Sequence, residues 1–284
     1  MTQTAHGFLL MIAAAMLIPL GDAVAKFAHE TLGVPISFMA WSRFALGAVL
    51  LAPFALAQNV RVAEMVPPQV VLRGLGISIT VFLILQGAAR APIADVFGAF
   101  FIAPLVSFIL ACLVLKERPG IARTALVLVG FAGVLMIVQP GTGMSSGLIF
   151  ALAAGLFYGA FLAANRAMSG RHRALALLWA QLIVGGIVMA PFGLTLDLPF
   201  SWLFAVCVLI SAFTSTCANY LMVLAYRRVE ASRLAPLVYV QLLGATLYGV
   251  LFFAAVPGPL ALSGLVLLFA SGIAALLLTS TQGR

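Results

Sequence analysis

Two long stretches without a charged side chain constrain this protein more than any other feature. Residues 124–165 and 234–283 contain no Asp, Glu, Lys or Arg. Each is too long for one bilayer crossing, for which about 20 apolar residues suffice. Each also carries a break, Gln139-Pro140-Gly141-Thr142-Gly143 in the first and Val256-Pro257-Gly258-Pro259 in the second. Proline cannot continue a helix and glycine favours turns, so each stretch reads as two spanning helices joined by a short turn.

Composition extends this reading to the whole chain. Of 284 residues, 64% are hydrophobic and 8% charged, whereas a soluble domain needs about 25% charged residues to cover its wetted surface. Most of this surface must therefore meet lipid. The same segmentation places spans near 7–27, 36–57, 68–89, 93–115, 121–138, 146–167, 174–194, 199–226, 232–254 and 260–280. Barrel strands would alternate polar and apolar residues; these segments are apolar all round. The expected fold is an all-α integral membrane bundle of ten transmembrane helices, with no extramembrane domain.

The formal net charge of +8 would suggest nucleic acid as a partner for a soluble chain. In a membrane protein it reads as basic residues gathered in cytoplasmic loops, and no nucleic-acid partner is expected. With the N-terminus placed in the cytoplasm, the inner loops and their flanks hold twelve basic residues, among them Arg61, Arg73, Lys116, Arg173, Arg228 and Arg284; the outer ones hold Lys26 and Arg90. Both termini are thus expected on the cytoplasmic side of a bacterial inner membrane. Residues 8–20 followed by Ala23-Val24-Ala25 have the outline of a signal peptide, but Met1 to Gly7 lacks Lys and Arg. The segment is read as the first span. Cys112, Cys207 and Cys217 lie inside apolar runs without metal-ligand spacing, so neither metal nor cofactor is expected.

An internal repeat carries the argument further. At an offset of 138 residues, Trp41 through Ala52-Pro53-Phe54 aligns with Trp179 through Ala190-Pro191-Phe192, with five identities in fourteen positions. At that offset Arg90 meets Arg228, Pro119-Gly120 meets Pro257-Gly258, and Phe131-Ala132 meets Phe269-Ala270. A register shared across four helices is not a chance match of apolar residues. The expected repeats are 1–140 and 141–284, each of five spans. Five is odd, so the second repeat enters the membrane from the opposite side. Such inverted repeats recur in secondary transporters, because two similar halves can exchange conformations.

Lys26 in the first span, Trp41-Ser42-Arg43-Phe44 in the second, and Ala103-Pro104-Leu105 through Leu115-Lys116-Glu117-Arg118-Pro119 resemble the drug/metabolite transporter superfamily, specifically its EamA-type exporters. The second half departs from that pattern: its turn reads Ala254-Ala255-Val256-Pro257, without an acidic residue, and Gln181 stands where Arg43 does. The resemblance implies a transporter and, within the superfamily, exporters of amino acids, including aromatic ones, and related metabolites.

Charges inside a span are costly and tend to serve function. Asp22 and Lys26 lie four apart on one helical face and are read either as a charge relay or gate at the outer mouth, or as a local ion pair. Arg43 lies about two turns inside its span and is read equally as a structural partner of a carboxylate and as a substrate attractor. Asp95, after Pro92, fits the first turn of a helix. Mid-depth polar residues define the candidate path: Ser78, Thr80, Phe82 and Gln86 in the third span, and Ser211, Thr214, Thr216 and Asn219 in the eighth. Their alternative is interhelical hydrogen bonding. Phe97, Phe100, Phe101, Tyr158, Tyr239 and Gln241 add aromatic walls and an amide. Pro19 and Pro104 are expected to interrupt their helices beside the path. Gly155 and Gly159 form a GxxxG pair for close helix contact.

An aromatic cavity with few charges suits small zwitterionic or hydrophobic solutes. The leading expectation is a monomeric secondary transporter exporting amino acids or related metabolites by alternating access, with protons as a candidate coupling ion. A multidrug or cationic-compound exporter is the alternative within transport, and a non-transporting receptor or scaffold the alternative outside it. The chain has no GxxxxGK[ST] motif for ATP, and His6, His29 and His172 form no HExxH or catalytic set, so no enzyme is expected.

Overall fold

The computed structural model describes residues 3–114, 120–139, 145–168, 172–194, 198–228 and 235–281. The Leu115–Pro119 turn, the Pro140–Gly143 break, Arg233 and Arg284 lie outside them. Among the described residues the α-helices are α1 Gln3–Leu32, α2 Ile36–Ala57, α3 Pro68–Ala88, α4 Ile93–Phe100, α5 Ala103–Leu113, α6 Ile121–Val138, α7 Ser146–Met168, α8 Ala174–Gly193, α9 Trp202–Arg228, α10 Val240–Phe253 and α11 Pro259–Thr281. Short 3-10 turns occupy Val62–Glu64 and Ala235–Tyr239. Seven segments are long and apolar enough to cross a membrane, one of them joining α4 and α5, and three shorter apolar helices bring the number to ten. The chain is a multi-pass membrane protein of ten helices in two inverted repeats.

Among the described residues two spans leave regular α geometry, and they are equivalent. The fourth breaks at Phe101 and Ile102, between α4 and α5. The ninth passes from 3-10 to α-helix between Tyr239 and Val240, 138 residues later. Pro104 sits in the first turn of α5, where its missing N–H is harmless but where it stops a continuous ladder. The N–H of Phe101 is shared between the carbonyls of Phe97 and Gly98, and that of Ile102 bonds to Ala99, a local tightening into 3-10 geometry. Pro19 behaves differently. Helix α1 runs unbroken past it, and its ring is received at Gly244, where an added Cβ would come within 2.7 Å.

Paired contacts relate the two halves. Trp41 Nε1 donates to the carbonyl of Gly186 at 2.9 Å, and its counterpart Trp179 Nε1 donates to that of Ala48 at 3.1 Å; donors and acceptors both differ by 138. Phe44 covers Gly185 as Leu182 covers Gly47, again at that offset. These bonds and glycine seats hold α2 against α8. Helices α6 and α11 meet at Gly133 and Gly264, where a Cβ on either would lie 2.8 or 2.6 Å from the other's carbonyl oxygen. Lipid gives no hydrophobic drive between helices, so such small-residue seams carry the association. Around these two pairs, α1 packs on α9 as α3 does on α7, and α1 packs on α10 as α7 does on α4 and α5.

Candidate substrate pathway

The breaks in the two discontinuous spans bring aromatic rings together. Phe101 and Tyr239, equivalent residues of the two repeats, stack face to face with centroids 5.0 Å apart and planes inclined by 22°. They meet because each lies where its span leaves regular α geometry. Phe100 touches both Phe101, at 6.0 Å, and Tyr158 of α7, at 4.9 Å. Phe97 meets Phe100 edge-on at 6.1 Å. Beyond them Tyr158 stacks on Phe161 at 5.7 Å. Offset and edge-to-face ring pairs of this kind add about 0.5–1.5 kcal/mol each beyond area burial. Helix α7 reaches the broken span through Gly155 and Gly159, where a Cβ would lie 2.6 Å from the Phe100 carbonyl oxygen and 2.7 Å from that of Ala103. The expected GxxxG contact is therefore made, and its partner is the break itself.

Arg73 continues this row. Its guanidinium lies 4.6 Å from the Phe161 ring centre, Nε donates to Asn165 Oδ1 and Nη1 donates to the Leu177 carbonyl at 3.1 Å. In the sequence Arg73 counts only among the basic residues flanking inner loops. Its place five residues inside α3 was the available signal.

The expected charge relay is divided. Asp22 pairs with Arg43 Nη1, not with Lys26. Arg43 also donates from Nη2 to the Gly21 carbonyl at 2.6 Å and from Nε to Ser211 Oγ at 2.8 Å, while Ser211 donates to the Gly21 carbonyl at 3.1 Å. Arg43 thus locks α1, α2 and α9. Lys26 donates to the carbonyls of Ala88 and Ala91, both at 2.7 Å, and faces Glu30 at 3.4 Å. It closes the C-terminal end of α3, where unsatisfied carbonyls attract a cation. Asp95 stands in the first turn of α4, as expected.

Several other expected path residues make contacts of their own. Ser78 Oγ donates to the Gly74 carbonyl at 2.7 Å, Thr214 to that of Ile210 at 2.8 Å, and Asn219 Nδ2 to that of Ser215 at 2.8 Å. Each hydroxyl or amide satisfies itself on its own helix. Thr214 and Thr216 fit against Gly21 and Gly47, each 2.7 Å from where a Cβ would stand, so they serve the contacts of α9 with α1 and α2. Phe82 is drawn to Phe192 of α8 at 5.9 Å and Gln86 to Arg90 at the end of α3; neither joins the aromatic row. Gln241 is buried at the start of α10, and its Nε2 has no partner among the described residues. A cavity of about 360 Å³ between α2 and α9, lined by Phe38, Trp41, Phe204 and Val208 among others, touches none of the expected site residues. Among the described residues no three His, Cys, Asp or Glu side chains form a metal-holding group.

Ten spans in two inverted copies, with equivalent helix breaks that meet at Phe101 and Tyr239, define the class as a membrane transporter built on repeats. The model of the EamA-like transporter family matches residues 5–139 and again 145–278. The chain belongs to that family, within the drug/metabolite transporter superfamily. It is 26% identical to a riboflavin transporter of Rhizobium johnstonii, covering 93% of this chain and 89% of the relative. It is 25% identical to the pseudopaline exporter of Pseudomonas aeruginosa, covering 94% and 95%. With an S-adenosylmethionine uptake transporter of Rickettsia prowazekii it shares 24% identity over 81% and 79%. A solved protein structure superposes with a TM-score of 0.70 at 18% identity over 99% of both chains, a likeness of fold.

Proposed function

We propose that this chain is a secondary transporter for small organic solutes with an aromatic or hydrophobic portion, aromatic amino acids or related metabolites above all, exported by alternating access. The observation that carries the reading is the Phe101–Tyr239 stack, placed where two equivalent broken helices meet. Flat rings between two movable halves offer a flat solute a surface it can share, while sharing costs the protein little burial of charge. The relatives named above support a small organic substrate, and the aromatic row supports the amino-acid class. A cationic-drug exporter would want a free buried carboxylate to receive its cargo; Asp22 is taken by Arg43, and Asp95, whose Oδ1 has no partner among the described residues, stands in the first turn of α4, where the helix N-terminus already faces its charge. In this reading Asp22 is a lock and not a proton relay.

The accompanying assignments form one picture. The repeats divide at 140 and 141, the protein works as a monomer in a bacterial inner membrane, and both termini face the cytoplasm. It performs no covalent chemistry and uses no cofactor. Uptake of labelled phenylalanine and tryptophan into proteoliposomes, beside a cationic dye, tests the function. Saturable amino-acid flux that falls on Tyr239→Ala is the expected result; dye flux alone would overturn it.

A further inference from the structure

The aromatic row ends on a cation whose charge nothing among the described residues neutralises. Two arginines sit inside spans near the repeat's polar nodes, and they are treated differently. Arg43 is buried, and the Asp22 carboxylate balances it while Ser211 and the Gly21 carbonyl take its remaining donors. Arg73 has only neutral partners, Asn165 and the Leu177 carbonyl. These engage Nε and Nη1, and Nη2 has no partner among the described residues. A positive charge held between α3, α7 and α8 without a carboxylate is an expensive arrangement in a membrane. The guanidinium is also fixed in advance: a ring covers one face and two hydrogen bonds set its plane. A fork so held matches a carboxylate, which accepts paired N–H donors.

We propose that Arg73, oriented by Asn165 and Phe161, is an anion subsite that takes the carboxylate of the solute whose ring lies along Phe161 and Tyr158. The proposal rests on the reading that the aromatic row carries substrate. It also narrows that reading: the solute is an aromatic carboxylate, with the acid toward the end of the bundle where α3 begins and the ring toward the Phe101–Tyr239 stack.

The test uses the full chain purified in detergent, with 3-phenylpropanoate and 3-phenylpropanamide as probes of equal shape and different charge. Thermal stabilisation titrated with each should give an apparent affinity about tenfold tighter for the acid, the value of one charge-assisted hydrogen bond. Arg73→Gln should abolish that ratio. Arg73→Lys, which keeps the charge and loses the fork, should leave an intermediate ratio, and Arg90→Gln, a basic residue at the opposite end of α3, should leave it whole. Equal affinities for acid and amide in the wild type, or an undiminished ratio in Arg73→Gln, would overturn the subsite. Proteoliposome flux separates the two readings. Saturable flux of acid and amide with equal KM keeps the aromatic transport reading and removes the subsite. A carboxylate preference in binding without any aromatic flux keeps the subsite and removes the transport reading.

Discussion

Arg43 and Gln181 occupy the same place in their two repeats, yet their surroundings have become opposites. Arg43 is knitted to Asp22, Gly21 and Ser211. Gln181 is as deeply buried, but its Oε1 has no partner among the described residues. The positions that bond Arg43 also differ in the second repeat: Asp22 corresponds to Ala160, and Ser211 corresponds to Arg73. One node is a closed electrostatic lock and the other leaves an arginine and an amide only partly used. The backbone around both nodes is nevertheless alike, because Trp41 and Trp179 make matching bonds and Gly47 and Gly185 receive matching side chains. Shape is kept by small residues and ring donors, while charge has been free to specialise.

The largest expected effect breaks the closed node. Asp22→Ala strands a buried guanidinium and should destabilise the protein by about 3–5 kcal/mol, read as loss of the folded fraction in detergent after heating. A change under 1 kcal/mol would show that the lock is ornamental. Next comes the seam between α6 and α11. Gly264→Val sets a branched side chain against the backbone of Gly133 and should cost about 1–3 kcal/mol as overpacking; a reversible SDS titration of the variant would measure it. Smaller still, Trp41→Phe and Trp179→Phe should each lose about 0.6 kcal/mol, the usual worth of an interhelical hydrogen bond in lipid. The comparison demands that the two losses agree, so a severalfold difference in the same titration would end the claim of equivalent seams. Smallest is Gln181→Leu, which removes a buried amide whose Oε1 has no partner among the described residues. Its stability should stay within about 0.5 kcal/mol of wild type or rise, whereas Arg43→Leu leaves Asp22 unpaired and should unfold far earlier in the same thermal assay.

The extent of each span could be read from the chain almost to the residue where apolar character alone sets it. Ile36–Ala57 and Ile121–Val138 are two such cases. It was less legible where helices break. Pro19 and Pro104 look alike in sequence, and one is absorbed at Gly244 while the other starts a new helix. A proline's fate depends on whether a neighbouring helix offers room and alternative hydrogen-bond geometry, and that neighbour is distant along the chain. The same limit explains the polar residues. Ser78, Thr214 and Asn219 have the composition of a path, but a hydroxyl or amide can satisfy itself on its own helix, so polarity does not reveal which way a helix is turned.

By itself the sequence determined the membrane class, the ten spans and the inverted repeat, because burying a backbone in lipid demands apolar helices and two copies leave a register that survives divergence. Only the tertiary structure decided that Asp22 belongs to Arg43, that Phe101 lies on Tyr239, and that Arg73 closes the aromatic row. Each of these meetings depends on the rotation of helices about their own axes. In lipid that rotation is set by glycine seats, ring stacks and single hydrogen bonds between helices, whose partners no local pattern names.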